Sequence, residues 1–479
     1  MRKKIETIIV SLITIIIFAL GTLIKNINLM FAATLILLLV LFMYAIKRKA
    51  LVLTMFLISF FTFLMGGYLI DLATEKEMIN EFTLELNMHM ILCLFLSLIG
   101  ILIGTFICKN KTEKFNNYNI EKDYKIYKIK IATKILFYIT FLFNAITIIE
   151  KVIFVQTNTY LELYTSYTSK LPILFTKIAQ MNDFLFYTYL STMPSKSEIK
   201  KPVILYMIIQ IISILSGGRS RTVTGLLFIF GYFVFREYNS RKKDNQKEIW
   251  LKKSHIKIAV LITPVLIAFL SAYNLIRNGI KIEQTSILKQ FIQFFKDQGG
   301  SIKLIAYAKK CESLLPQNNK VYSLYPIIAF FRDGIIGQIF FSTTPFKVNT
   351  IEMALYGNNF GATISYIIMP ELYLQGHGLG TQYIAEVYTD FSYLGVFIFN
   401  IILGILLIKL NFRTNIKWYW SAINLSIIRL VIYMPRDFAL SWISAFWSIT
   451  NWGSIIFVII LSRIIKVKEG ENNENTLDS

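Results

Sequence analysis

The sequence predicts an all-α polytopic integral membrane protein with about 12 transmembrane helices and a large extracytoplasmic loop containing amphipathic helices. Three observations predict it. Of the 479 residues, 55% are hydrophobic and 16% are charged, whereas soluble domains carry roughly 25% charged residues. Apolar runs of about 20 residues, the length that crosses a bilayer as a helix, recur from end to end. Lys and Arg collect in alternate connections between those runs. Hydrocarbon imposes helices because each unpaired backbone group there costs several kcal/mol.

The runs fall at 5–24, 27–46, 50–70, 87–108, 131–155, 171–193, 202–216, 222–235, 258–277, 391–408, 418–434 and 438–461. The first, in "MRKKIETIIVSLITIIIFALGTLI", has a basic start but no small-residue cleavage site, so it reads as a retained span. With both termini in the cytoplasm, the inside connections are "KRK" (47–49), 109–130, "PSKSEIKK" (194–201), 236–257 and "KLNFRTNIK" (409–417), all basic. The first sizeable outside loop instead carries Asp71, Glu75, Glu77, Glu81 and Glu85 against Lys76. This positive-inside pattern accounts for much of the formal charge of +21 without any nucleic acid. Cys93, Cys108 and Cys311 give no disulfide framework. The resulting organisation is 1–277 for the N-terminal membrane helices, 278–390 for the extracytoplasmic loop, 391–464 for the C-terminal membrane helices and 465–479 for a polar cytoplasmic tail.

The 278–390 segment is rich in Phe, Ile and Tyr. "SILKQFIQFFKDQGGSIKLIAYAKK" and "YSLYPIIAFFRDGIIGQIFF" read as amphipathic helices at the membrane surface. A long loop with its own structure is usually functional.

"ILSGGRSRTVTG", residues 214–225, interrupts two apolar runs of about 14 residues. Each such run covers about 21 Å as a helix, against a hydrocarbon core of about 30 Å. The turn is therefore expected to dip below the outer surface. Gly217 and Gly218 permit a tight turn with open amides, and Thr222 is expected to cap the following helix. With Arg219 and Arg221 beside a helix N-terminus, the pattern resembles an anion site for phosphate. The bland alternative is an exposed turn with snorkelling arginines. Arg277, Arg332 and Arg436 lie on the same expected face. Arg332 and Arg436 each precede an aspartate, so each is either part of a diphosphate clamp or a member of a local Arg–Asp pair.

In "QGHGLGTQYIAEVYTDFSYLGVF", Glu386 and Asp390 fall four apart on one helix face, with His377 in a Gly-rich turn upstream. These are the candidate general bases, with helix capping or a turn histidine as the alternative. No His, Cys and carboxylate set has metal-ligand spacing, so no metal site and no cofactor are expected. No phosphate-binding nucleotide loop and no "GxSxG" occur.

"SGGRSRTVTGLLFIFGYFVF" and "GHGLGTQYIAEVYTDFSYLGVFIFNIILGILL", with many spans and one large loop before the last ones, resemble the bacterial Wzy-type O-antigen and capsule polymerases. Where this chain has "TDFSYLG", the family commonly has Gly in place of Ser392. The resemblance implies an enzyme of the bacterial cytoplasmic (inner) membrane. It would move the growing chain from undecaprenyl diphosphate onto a new lipid-linked oligosaccharide repeat unit. Arg219, Arg221, Arg277, Arg332 and Arg436 would hold the diphosphate. Glu386, Asp390 or His377 would take the acceptor proton, and Tyr322, Tyr325, Tyr373, Tyr383, Tyr388 and Trp442 would offer faces to sugars. A chain-length regulator and a flippase are the implied partners besides the bilayer. Two other readings fit the topology: an O-antigen ligase with the same donor, and a flippase or other transporter. A transporter would favour paired broken helices in two similar halves, and only the 202–235 pair is interrupted.

Overall fold

The computed structural model describes residues 2–74, 77–108, 124–158, 160–217, 219–242, 249–254, 257, 261, 287–316, 321–410, 412 and 417–466. Among them there is no strand. The longer helices are α1 (Arg2–Leu23), α2 (Ile27–Arg48), α3 (Leu51–Ala73), α4 (Leu84–Ile107), α5 (Tyr124–Thr157), α6 (Ile173–Gln180), α7 (Asn182–Ser191), α8 (Lys196–Ser216) and α9 (Arg219–Lys242). After an undescribed stretch come α10 (Ile287–Gly299), α11 (Lys303–Lys310), α12 (Tyr325–Arg332), α13 (Tyr383–Lys409), α14 (Trp418–Tyr433) and α15 (Ser441–Ile464).

Eight of the described helices are long and apolar enough to cross a bilayer: α1 to α5, α8, α13 and α15. The expected helical membrane class is thus found, with eight such helices among the described residues against about 12 expected. The 171–193 run is broken at Met181 into α6 and α7. The 222–235 run lies in α9, where Arg219 and Arg221 precede it and Arg236 and Glu237 follow. The 418–434 run forms a helix of 16 residues. The 258–277 run, apart from residue 261, falls outside the described residues.

Caps set several boundaries. Asn26 and Thr83 accept the first free amides of α2 and α4, and Ser195 with Glu198 forms a reciprocal capping box on α8. The helices pack where small residues admit a neighbouring backbone. In "GILIG", a Cβ added to Gly104 would lie 2.1 Å from the Ile401 carbonyl oxygen, and one on Gly404 would lie 2.4 Å from that of Ile101. Thus α4 and α13 touch backbone to backbone, the membrane packing mode that small residues allow. Beside this contact Asn400 donates to Ser97 at 3.2 Å and accepts from Tyr383 at 2.9 Å. His89 of α4 meets the Ile305 carbonyl through Nε2 at 3.1 Å and the Tyr393 hydroxyl through Nδ1 at 2.8 Å. The carbonyl can only accept, so Nε2 carries the proton and Nδ1 accepts from Tyr393.

The connections gather at two ends. At one end, Lys130 pairs with Glu198 at 2.8 Å, Lys196 donates to the Ile249 carbonyl, and Lys49 lies over Tyr238. At the other, Glu81 meets Lys303 and Tyr307, Gly376 abuts Leu161, and Gly217 abuts Tyr160. Each of these contacts joins loops that were expected on the same face. Of the two stretches read as surface amphipathic helices, the first is docked on the bundle, whereas α12 in the second has no fully buried residue. In α11, Leu304, Ile305, Ala306, Tyr307 and Ala308 are buried against the bundle.

Candidate functional site

The site is built on α10. A Cβ on Gly299 would lie 2.5 Å from the Gly67 Cα, so these glycines let α10 lie directly on α3. The middle of α3, Phe61–Met65, is a π turn. Such wide turns are frequent at functional sites. Phe63 in that turn lies 5.7 Å below the Arg436 guanidinium, whose Nη1 donates to buried Gln298 of α10 at 2.7 Å. One turn back on α10, Phe294 packs with Ile214 and Val223, which flank the Gly-Arg turn. The structure therefore brings the Gly-Arg turn and Arg436 to a single helix.

The helices that carry the turn's flanks are longer than the apolar runs: α8 has 21 residues and α9 has 24, both extending into basic segments at the end away from the turn. One expectation fails: Thr222 is no cap. It sits inside α9, buried, and its hydroxyl donates to the Gln210 carbonyl of α8 at 2.7 Å. The reversal is made by a 3₁₀ turn, Ser213–Ser216, followed by Gly217 at φ 99°. Glycine alone adopts that conformation without strain. Arg219 opens α9 and Arg221 follows. Their side chains, and all of Arg277, lie outside the described residues.

The arginines that are described behave differently from one another. Arg332 grips its neighbour Asp333 through Nε and Nη2, both at 2.8 Å, and donates to the Tyr356 and Gly357 carbonyls. Its charge is met locally. Arg436 has neutral Gln298 and the Phe63 ring as partners, and makes no described salt bridge to Asp437.

The α13 motif has three parts. Gln382 caps the helix, accepting from the Ala385 amide at 2.7 Å. Glu386 lies one helical turn before Asp390, as the spacing predicts; it is fully buried and bridges elements. Its carboxylate accepts the Thr381 hydroxyl and the Ala439 amide, the latter at 2.9 Å. Asp390 accepts the Tyr322 amide at 2.9 Å, the Ser323 amide at 2.7 Å and the Ser323 hydroxyl at 2.6 Å. His377 lies half-exposed in its turn. Its amide donates to Leu372 and its carbonyl accepts from Asn349. At Ser392, φ 56° and ψ −161° break α13 into two helical pieces.

Of the aromatic candidates, Tyr322, Tyr373, Tyr383 and Tyr388 are buried. Tyr325 stands against Phe438 with ring centres 4.6 Å apart, and Tyr325 and Trp442 keep partial exposure. Burial raises the Tyr325 hydroxyl above its ordinary range. Among the described residues no three His, Cys, Asp or Glu side chains gather as a metal site requires.

Two residues stand out beyond the candidates, one unnoticed in the sequence and one read there only as a possible pair with Arg436. Arg429 sits within apolar α14 and is buried. Its Nη2 and the Gln210 side-chain oxygen both approach Gly225, within 3.7 Å and 3.4 Å of the place a Cβ would take. An arginine inside an apolar run is itself a functional signal. Asp437, beside Arg436, is half-buried and accepts the Phe438 amide at 2.9 Å. Burial pushes its carboxyl up to about 6, against the pull of the Phe438 amide, Ser441 and Arg429.

These features define an integral membrane protein, all-helical among its described residues, in which a docked helix, α10, meets the segment that carries Arg436. A family model described as O-antigen polysaccharide polymerase Wzy matches residues 6–469, and the chain belongs to that family. Its class of activity is polysaccharide polymerisation in the membrane. No curated protein and no solved structure matches the chain.

Proposed function

We propose that the chain polymerises undecaprenyl-diphosphate-linked oligosaccharide repeat units on the outer face of the bacterial inner membrane. The setting of Arg436 carries this reading. It is a guanidinium at the bundle end with a neutral partner on α10, the helix that also packs beside the Gly-Arg turn. An arriving diphosphate there meets positive charge that forms no salt bridge among the described residues. Arg219 and Arg221, at the N-terminal end of α9, add charge and helix dipole. Arg277 joins them by sequence position. Arg332 is assigned to holding its own loop.

An acceptor hydroxyl attacks the anomeric carbon of the donor sugar, and the carbon–oxygen bond to the diphosphate breaks. The electron pair goes to the diphosphate, where arginine forks stabilise it. The arginines supply the charge that a metal supplies elsewhere, so the transfer proposed is metal-independent. Glu386 and Asp390 act by position, fixing the Arg436 segment and the Tyr322–Ser323 turn. His377, half-exposed, is assigned to the acceptor sugar. The lysine-rich end faces the cytoplasm on this reading, supported by the mutual contacts of its basic loops.

The test is Arg436→Ala, followed by the polysaccharide ladder on a gel and by retention of undecaprenyl diphosphate on the purified protein. Losing a charged hydrogen bond worth about 1.5–3 kcal/mol predicts roughly 10- to 100-fold weaker retention. A normal ladder with unchanged retention rules the assignment out.

A further inference from the structure

We propose that Asp437 is the carboxylate that takes the proton from the acceptor hydroxyl. The inference rests on the polymerase reading above and names a catalytic residue within it. Asp333, Glu386, Asp390 and Asp437 form one electrostatic neighbourhood around Tyr325 and Glu386. Three of the four are committed. Asp333 is held by Arg332 through both oxygens. Asp390 holds two amides and a hydroxyl of the Tyr322–Ser323 turn. Glu386 has no solvent exposure, and its oxygens accept from Thr381 and Ala439. Asp437 keeps partial exposure, and the groups that favour its charge by hydrogen bonding, the Phe438 amide and Ser441, lie within four residues of it, so it ties no distant elements together.

Its location fits the task. A 3₁₀ turn, Met434–Arg436, ends α14, and Asp437 follows in extended backbone. The Ala439 amide, two residues on, is fastened to Glu386. Asp437 is therefore held between an anchored residue and Arg436. Asp437 directly follows Arg436, so the proposed base and the proposed diphosphate ligand share one short segment between α14 and α15. As the acceptor oxygen bonds the anomeric carbon, its proton passes to the Asp437 carboxylate while the diphosphate departs with the bonding pair. The carboxylate must be ionised to accept, so activity falls as pH drops through about 6. The charged groups facing it are Glu386 from α13, Arg429 from α14 and adjacent Arg436. Arg429 is the positioning residue, since its cation favours the ionised carboxylate.

The experiment uses the full-length protein in nanodiscs with lipid-linked repeat units extracted from a polymerase-deleted strain. Asp437→Asn is expected to slow polymer formation at least about 100-fold, within the range of general-base catalysis, while undecaprenyl diphosphate retention stays within about twofold. Arg429→Gln is expected to move the acid limb of the pH profile upward. A normal rate for Asp437→Asn overturns the proposal. So does a profile of the unmodified protein that stays flat between pH 5 and 7, a measurement independent of whether any variant folds. If the unmodified protein fails to retain undecaprenyl diphosphate, the donor assignment falls. A normal ladder from cells carrying Asp437→Asn would separately remove Asp437, whatever the donor is.

Discussion

The Glu386 carboxylate holds the Ala439 amide at 2.9 Å, in a position without solvent exposure, while Thr381 donates to its other oxygen. This bond joins the start of α13 to the segment that carries Arg436 and Asp437. Glutamine can keep both contacts by turning its oxygen to Ala439 and its amide to the Thr381 hydroxyl. Alanine strands two buried donors, at about 1–3 kcal/mol each. Glu386→Gln is therefore expected to retain a polysaccharide ladder and Glu386→Ala to lose it, with a lowered unfolding temperature in detergent. If Glu386 were the proton acceptor, both variants would be equally inactive.

Much of the fold was legible because hydrocarbon leaves the chain few options. Helix positions followed from apolar runs, while the partner of the small residues in "GILIG" at 100–104 became visible only in the structure. The spacing of Glu386 and Asp390 placed both on one face, as found. What was not legible depended on contacts distant in sequence. Nothing local to Thr222 shows that its hydroxyl reaches Gln210 and not its own helix end. Nothing local to Glu386 shows its partner to be Ala439, 53 residues on. The "RD" pairs at 332 and 436 look alike in sequence, yet one closes on itself and the other opens toward Gln298. Arg429 was legible in principle, as a lone cation in an apolar run.

Ser392 holds φ 56° and ψ −161° inside α13, a backbone that glycine adopts freely and L side chains resist. Such conformations cost roughly 1–3 kcal/mol. The kink sends the next residue, Tyr393, to the His89 ring. Ser392→Gly is expected to raise the thermal midpoint in detergent and leave the ladder unchanged. Ser392→Val, branched at Cβ, is expected to lower it. A lower midpoint for the glycine variant would show that the serine hydroxyl, not the backbone, sets this position.

Gly299 meets Gly67 so closely that any side chain must part α10 from α3. Gln298, the partner of Arg436, precedes it directly. Gly299→Val is therefore expected to weaken undecaprenyl diphosphate retention about as much as Arg436→Ala does, although residue 299 brings no charge. Retention is the decisive measurement. Unchanged retention would separate α10 from the anion site.

Arg332 and Arg436 make the sharpest contrast. Arg332 and Asp333 share two hydrogen bonds at 2.8 Å, and Arg332 also ties down the Tyr356 and Gly357 carbonyls. A guanidinium so engaged has little left for a ligand, and removing either partner of the pair leaves the other charge unmet. Arg332→Ala and Asp333→Ala are each expected to destabilise the protein. The double variant should cost less than the sum of the two, since the pair fails as a unit. Undecaprenyl diphosphate retention should survive in all three, measured beside Arg436→Ala, where it should fall. If Arg332→Ala loses retention as fully as Arg436→Ala while its stability is unchanged, then Arg332 belongs to the diphosphate clamp and its pairing with Asp333 gives way when the donor binds.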